Sequence, residues 1–207
     1  MTKIFNLAIK HLIPIFTAKS LQKSQLFHSY SKGSCLYSSG YPLLINESLY
    51  SRFKYALNCH PSLLPRNRGR YLEYILINND YKSGTTIHHI KSGCDNGPII
   101  MQQEYDVSFT DNVSDLLEKS YRLEINMLKD IIQDPLKLEI EIHQDESKAT
   151  TYTAQRTPQD SELSNETSLL DAYLASRAFD ENLYPGYFKY KNYRIYFRMN
   201  VVEDSNN

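Results

Sequence analysis

Asn58 and His60 stand two residues apart in Ala56-Leu57-Asn58-Cys59-His60, the sequence of a short strand, so their side chains leave the same face. An amide there can donate to an oxygen that gains charge, and an imidazole can donate or move a proton. Pro61 and Pro65 stop the strand and bracket a stiff loop, Ser62-Leu63-Leu64, whose leucines are expected to be covered. Further on, Gly93-Cys94-Asp95-Asn96-Gly97 puts a carboxylate in a glycine-flanked turn after another strand. Amide, imidazole and carboxylate together can stabilise an oxyanion, orient the ring and take the proton lost by an attacking amine. No Ser, Cys or Lys stands out as an activated nucleophile, so the set points to direct transfer of a carbonyl group between two bound molecules. Cys59 would face away from its two neighbours. Singly, each residue has a plainer use: a histidine after a strand is commonly structural, and an aspartate in a turn commonly shapes the turn. His88 and His89, adjacent on a strand, would face opposite sides with no third ligand at suitable spacing, so no metal is expected.

The elements that must position these residues alternate between strand and helix. A short helix fits within residues 1–13, a strand Ile13–Phe16 and a helix Ser20–His28. Cys35-Leu36-Tyr37 reads as a strand running into the Ser38-Ser39-Gly40 turn, followed by a helix Leu49–Tyr55, the strand Ala56–His60 and a helix Tyr71–Ile77. The β-branched run Gly84–Ile90 and then Ile99–Gln103 read as strands. The clearest helix covers 112–133, with Val113, Leu116, Leu117, Tyr121, Ile125, Leu128, Ile131 and Ile132 as one apolar stripe, Thr110 or Asp111 as cap and Pro135 as stop. Leu136–His143 alternates like a half-exposed strand. Gln144–Glu166 is polar and reads as a linker, with Thr150–Gln155 as a possible edge. Leu169 to Arg177 makes a shorter helix, and Tyr187–Tyr190 with Tyr193–Arg198 a terminal β-hairpin whose tyrosines suit a dimer contact. The pattern predicts an α/β layered fold with a largely parallel sheet, which gathers strand-end loops where ligands bind.

Composition narrows the partners. The chain has 207 residues and a formal net charge of −1, which gives no electrostatic reason to expect nucleic acid. Its apolar runs are too short for a membrane span, and Lys10, His11 and Pro14 interrupt the N-terminal one, so neither membrane insertion nor secretion is expected. Cys35, Cys59 and Cys94 are unpaired by spacing and read as reduced thiols of a cytoplasmic protein.

Asn58-Cys59-His60-Pro61-Ser62-Leu63-Leu64-Pro65, Arg68-Gly69, Gly84-Thr85-Thr86-Ile87-His88 and Asp95-Asn96-Gly97-Pro98-Ile99-Ile100, with Gln102 or Gln103 after them, occur in this order. Together they resemble the formyltransferase family that uses 10-formyltetrahydrofolate, over residues 13–133. The resemblance implies a Rossmann-like formyltransferase sheet and a catalytic Asn58, His60 and Asp95. An amine then attacks the formyl carbon, Asn58 and His60 stabilise the oxyanion and Asp95 assists proton transfer. It also implies that the folate's pterin ring lies against the Gly40–Leu44 loop, with Tyr41, Leu43 and Leu44. The ring would meet the backbone of Lys91–Asp95, including Ser92 and Gly93, as well. The neighbouring loop offers Arg68, Arg70 and Tyr74 as candidates for the phosphate or base of the second substrate.

The C-terminal third is similar to the post-catalytic segment of sugar N-formyltransferases at Tyr152–Leu163, Ser176–Phe179 and Tyr184–Phe188. The resemblance therefore implies formylation of a nucleotide-linked amino sugar for surface polysaccharide (O-antigen), by a homodimer joined through the hairpin. The alternatives are another amine, on glycinamide ribonucleotide or methionyl-tRNA, or an inactive truncated homologue. In the family a first strand, a helix and a second strand precede the segment that Ile13-Pro14-Ile15 and Lys19-Ser20-Leu21 resemble; here only residues 1–12 do. The expectation is thus an N-terminally truncated core, 1–143, lacking its first strands, followed by an extension, 144–207.

Overall fold

The computed structural model describes residues 6, 8–13, 33–41, 43–69, 72–154, 156–180 and 182–204. Residues 8–10 are helical. Of the strand expected at Ile13–Phe16 only Ile13 is described, and it is exposed; residues 14–16 and the helix expected at Ser20–His28 lie outside the described residues.

The central sheet runs in the order β1 (Cys35–Ser39), β2 (Tyr55–His60), β4 (Lys82–His89), β5 (Ile99–Asp106). β1 and β2 are parallel, while β2–β4 and β4–β5 are antiparallel. The expectation of a largely parallel sheet is therefore corrected for the described residues. Residues 90–98, between β4 and β5, contain no helix, and without a crossover helix the chain can only double back. Between β2 and β4 lie a two-residue strand β3 (Arg68–Gly69) and the helix α2 (Glu73–Ile77). The helix expected at Leu49–Tyr55 is instead α1 (Glu47–Tyr50), capped by the Asn46 side chain, because Tyr55 is needed to begin β2 beside Cys35.

One face of the sheet is apolar and the other polar, as strand alternation requires. Leu57 and Cys59 of β2, Ile87 of β4 and Ile100 pack with Met127 and Ile131 of the long helix α3 (Val113–Gln133). The cap of α3 is Asn112, not Thr110 or Asp111; its side chain accepts from Ser114 and Asp115 while Asp115 answers the Asn112 N–H. The buried row on α3 is Leu116, Ser120, Glu124, Met127 and Ile131. Tyr121, Ile125 and Ile132, expected in that stripe, are exposed. Polar side chains fill the buried row because each has a partner: Thr85 meets the Ser120 hydroxyl at 2.7 Å, and Tyr37 donates to Glu124 at 2.8 Å.

Leu136–His143 is not a strand. Pro135–Glu139 winds as a 3-10 helix, with Pro135 at its start and the Asp134 side chain accepting from Leu136. Only Ile142 bridges the sheet, opposite Ile99. Residues 144–166 carry short elements: 3-10 turns at Glu146–Lys148 and Pro158–Ser161, β6 (Thr151–Tyr152) paired with β3, and β7 (Glu162–Leu163). Helix α4 (Leu169–Ser176) follows, and the expected hairpin forms from β8 (Tyr187–Tyr190) and β9 (Tyr193–Tyr196), with β7 along β8.

Candidate functional site

The polar face of the sheet presents a row set by register. Asn58 pairs with His88 and His60 with Thr86, while Thr86 also pairs with Gln102 on β5, so all five side chains share that face. The row continues into the loop that β2 enters. Thr86 Oγ1 donates to the Ser62 carbonyl at 2.7 Å and accepts from Gln102 Nε2 at 2.8 Å and the Leu64 N–H at 3.3 Å. Gln102 donates to the Leu64 carbonyl as well, at 2.9 Å. Ser62 and Leu64 are buried, and the Leu64–Pro65 peptide is cis. Of the two glutamines in the motif, Gln102 is the one that meets this loop.

Asp95 sits over the row. Its Oδ1 accepts from Asn58 Nδ2 at 3.3 Å and lies 3.5 Å from His88 Nε2, while its Oδ2 lies 3.6 Å from His60 Nδ1. The Gly69 N–H donates to Oδ2 at 2.9 Å and the Cys94 thiol at 3.4 Å. The turn reaches this position through glycine and left-handed backbone. Asp95 itself has φ +50°, which aspartate tolerates better than most side chains. A Cβ on Gly97 would stand 1.8 Å from the His89 carbonyl oxygen, and one on Gly69 2.2 Å from that of Tyr152. Both positions need glycine for the backbone to close on the site.

The two imidazoles are held alike. His60 Nε2 donates to the Asn67 carbonyl at 2.7 Å, and His88 Nδ1 donates to the His89 carbonyl at 2.9 Å. In each neutral ring the other nitrogen is then the basic one, and in each that nitrogen faces Asp95. Burial pushes His60 below the ordinary histidine value of 6.5, against the opposing pull of Asp95. Burial raises Asp95, but the His88 and His60 rings, once protonated, and the Gly69 N–H outweigh it and hold the carboxyl well below the usual carboxylate range. A neutral ring stands ready to take a proton, and a fixed carboxylate stands ready to stabilise the resulting cation. His88 is the site residue that sequence reasoning missed. The sequence offers it as a rejected metal ligand and as the last residue of the Gly84–His88 motif, and only the pairing of β4 with β2 sets it beside Asn58.

Asn58, His60 and Asp95 are thus brought together. Tyr41, Leu43 and Leu44 sit on the loop leaving β1, whose last residue pairs with Cys59, level with the end of β2. They are 49%, 60% and 76% exposed, an uncovered apolar surface at the carboxyl ends of the two parallel strands. Ser92 and Gly93 are exposed, with Gly93 at φ +108°. Arg68, expected to meet substrate, is corrected: it is 6% exposed and turned away into Gln144 and Glu146. Tyr74 stacks on Tyr152 with ring centres 3.7 Å apart. Arg70 lies outside the described residues.

A model of the formyl transferase family matches residues 4–132, and the chain belongs to that family. By sequence it is 31% identical over 156 residues to the methionyl-tRNA formyltransferase of Ehrlichia ruminantium, covering 73% of this chain and 51% of that protein. The chain thus spans about half the length of the curated relatives it matches. By fold it is similar to a 4-N formyltransferase from Francisella tularensis, with TM-score 0.74, 22% identity and coverage of 98% of this chain and 84% of the other. It is also similar to an N-formyltransferase from Helicobacter canadensis solved with folinic acid and dTDP-3-aminofucose, with TM-score 0.65, 20% identity and coverage of 83% and 61%.

Proposed function

We propose that this chain transfers a formyl group from 10-formyltetrahydrofolate to the amine of a nucleotide-linked amino sugar, as a step toward surface polysaccharide. The observation that carries the reading is the convergence of Asn58, His60 and Asp95, with the basic nitrogen of His60 aimed at the carboxylate. The Tyr41, Leu43 and Leu44 surface fits a flat heterocycle, and the turn at Ser92-Gly93 is exposed beside the site. The folate supplies the formyl carbon and leaves as tetrahydrofolate. Asn58 Nδ2 donates to the formyl oxygen as it gains charge, giving up contacts that are long at 3.3 Å. The new bond joins the formyl carbon to the sugar nitrogen as the bond to the folate nitrogen breaks. The amine's proton goes to His60 Nδ1, stabilised by Asp95, and then to the departing nitrogen.

The sugar is favoured over tRNA by a net charge of −1, since binding to a polyanion draws on excess positive charge. A second reading, formylation of methionyl-tRNA, is favoured by the 31% identity to the Ehrlichia ruminantium enzyme. The proposed enzyme is cytoplasmic and a homodimer. Purified protein supplied with 10-formyltetrahydrofolate and, separately, dTDP-, GDP- and UDP-linked amino sugars, glycinamide ribonucleotide or methionyl-tRNA decides between them. Formylation of one or more sugars alone supports the proposal. Turnover only with methionyl-tRNA or glycinamide ribonucleotide would remove the sugar and keep the chemistry.

A further inference from the structure

We propose that Gln144 is the positioning residue for the carboxylate of this site: clamped by Arg68, its amide holds two carbonyls of the turn that carries Asp95, that of Asp95 itself and that of Gly97. Gln144 Nε2 donates to the Asp95 carbonyl oxygen at 2.8 Å and to the Gly97 carbonyl oxygen at 2.7 Å. Its Oε1 accepts from Arg68 Nε at 3.1 Å and Arg68 Nη2 at 2.8 Å. A side-chain amide has two donor hydrogens and two acceptor lone pairs, and all four are used here. That fixes which way the amide faces, because the flipped amide would set hydrogens against the guanidinium and oxygen against two carbonyls.

Arg68 is itself held. Its guanidinium donates to Glu146 at 2.9 and 2.7 Å, a two-point ion pair that leaves the arginine buried. The next residue, Gly69, donates its N–H to Asp95 Oδ2 at 2.9 Å. The Arg68-Gly69 strand therefore reaches Asp95 twice, once at the carboxylate and once through Gln144 at the backbone. A non-glycine residue held at φ +50° gains from this, since neither carbonyl of the turn has a strand partner to fix it. Gln144 touches no carboxylate oxygen of Asp95, so it acts on the reaction through Asp95. The catalytic consequence rests on the formyl-transfer reading; the geometric claim does not.

Two variants test it, Gln144→Leu, which removes every contact, and Gln144→Glu, which keeps an acceptor for Arg68 and removes both donors. Each is first checked for folding by circular dichroism and thermal melting, so that one folded variant suffices. The expected result is a fall in kcat of about 10²-fold with KM for both substrates little changed, the cost of a misplaced catalytic group. In an Asp95→Asn background the same substitution adds no further loss, because the residue it positions has lost its function. Independently of turnover, the Asp95 carboxyl carbon followed by NMR titrates at higher pH in the variant than in wild type. Unchanged kcat and an unchanged Asp95 titration in a folded variant overturn the proposal, as does a full multiplicative loss on top of Asp95→Asn. If the wild-type protein transfers no formyl group yet the Asp95 titration moves, the positioning stands and the assigned function falls.

Discussion

At the scale of the residue, Asp95 is the centre of the site because two rings point their basic nitrogens at it from the same face of the sheet. The consequence for pH follows from burial. His60 and His89 are both pushed below 6.5 by burial, so as pH falls through that value the unfolded chain takes up protons before the folded one does. Stability then drops with falling pH. Asp95 is held below its ordinary value of 3.8, so its contribution is present above that value and fades as pH falls beneath it. The melting temperature is expected to decline from pH 7.5 to 5, with a shallower decline in His60→Asn; an identical slope in the variant would contradict the assignment to His60. Residue types and spacing name Asn58, His60 and Asp95 as candidates, each with a plainer use taken singly, and it is the motif resemblance around them that groups them into one site. His88 was not legible, because its type suggested metal while only its register with Asn58 reveals its neighbours. Gln144 was not, because nothing local in a polar stretch signals a contact with a turn some fifty residues earlier (Asp95, sequence separation 49).

At the scale of the element, the loop after β2 is held in place by a threonine on β4. Thr86→Val keeps the shape but leaves the buried Leu64 N–H without an acceptor, while the exposed Gln102 amide loses one contact that water can replace. Loss of such partners costs about 1–3 kcal/mol, which urea denaturation would read as a lower midpoint with an unchanged slope. An unchanged midpoint would show that the network does not hold the loop. The long helix is legible because its apolar positions recur at spacings of three and four up to Pro135; its cap is not, since Asn112 takes the role expected of Thr110 or Asp111. Its buried face was not, because Ser120 and Glu124 are buried against Thr85 and Tyr37, partners distant in sequence. The alternation in Leu136–His143 misled for a related reason: Pro135 starts a tight 3-10 turn there, and a local prolyl constraint outweighs a two-residue period.

At the scale of the whole molecule, the sheet separates its tasks by face, with α3 and the apolar core beneath and the polar row above. Strand–helix alternation foretells an α/β fold but not strand direction: residues 90–98 hold no helix, so β5 doubles back on β4, and β4 runs against β2 even though α2 lies between them. Among the described residues no helix is long and apolar enough to cross a membrane. The terminal hairpin leaves Tyr190, Tyr193, Ile195 and Tyr196 exposed, 40–70% each. If these form the proposed dimer contact, Tyr193→Lys with Ile195→Lys turns a dimer into a monomer in light scattering; a dimer that survives both changes would place the contact elsewhere. The central claim is that Asp95, Asn58 and His60 together transfer a formyl group. It is tested most directly by release of tetrahydrofolate from 10-formyltetrahydrofolate in the presence of an amino-sugar nucleotide, comparing wild type with folded Asp95→Ala. The account predicts amine-dependent release by wild type and a loss of about 10²-fold or more in the variant, because His60 without its carboxylate loses the support that makes it an effective base. Equal rates in the two proteins would contradict it.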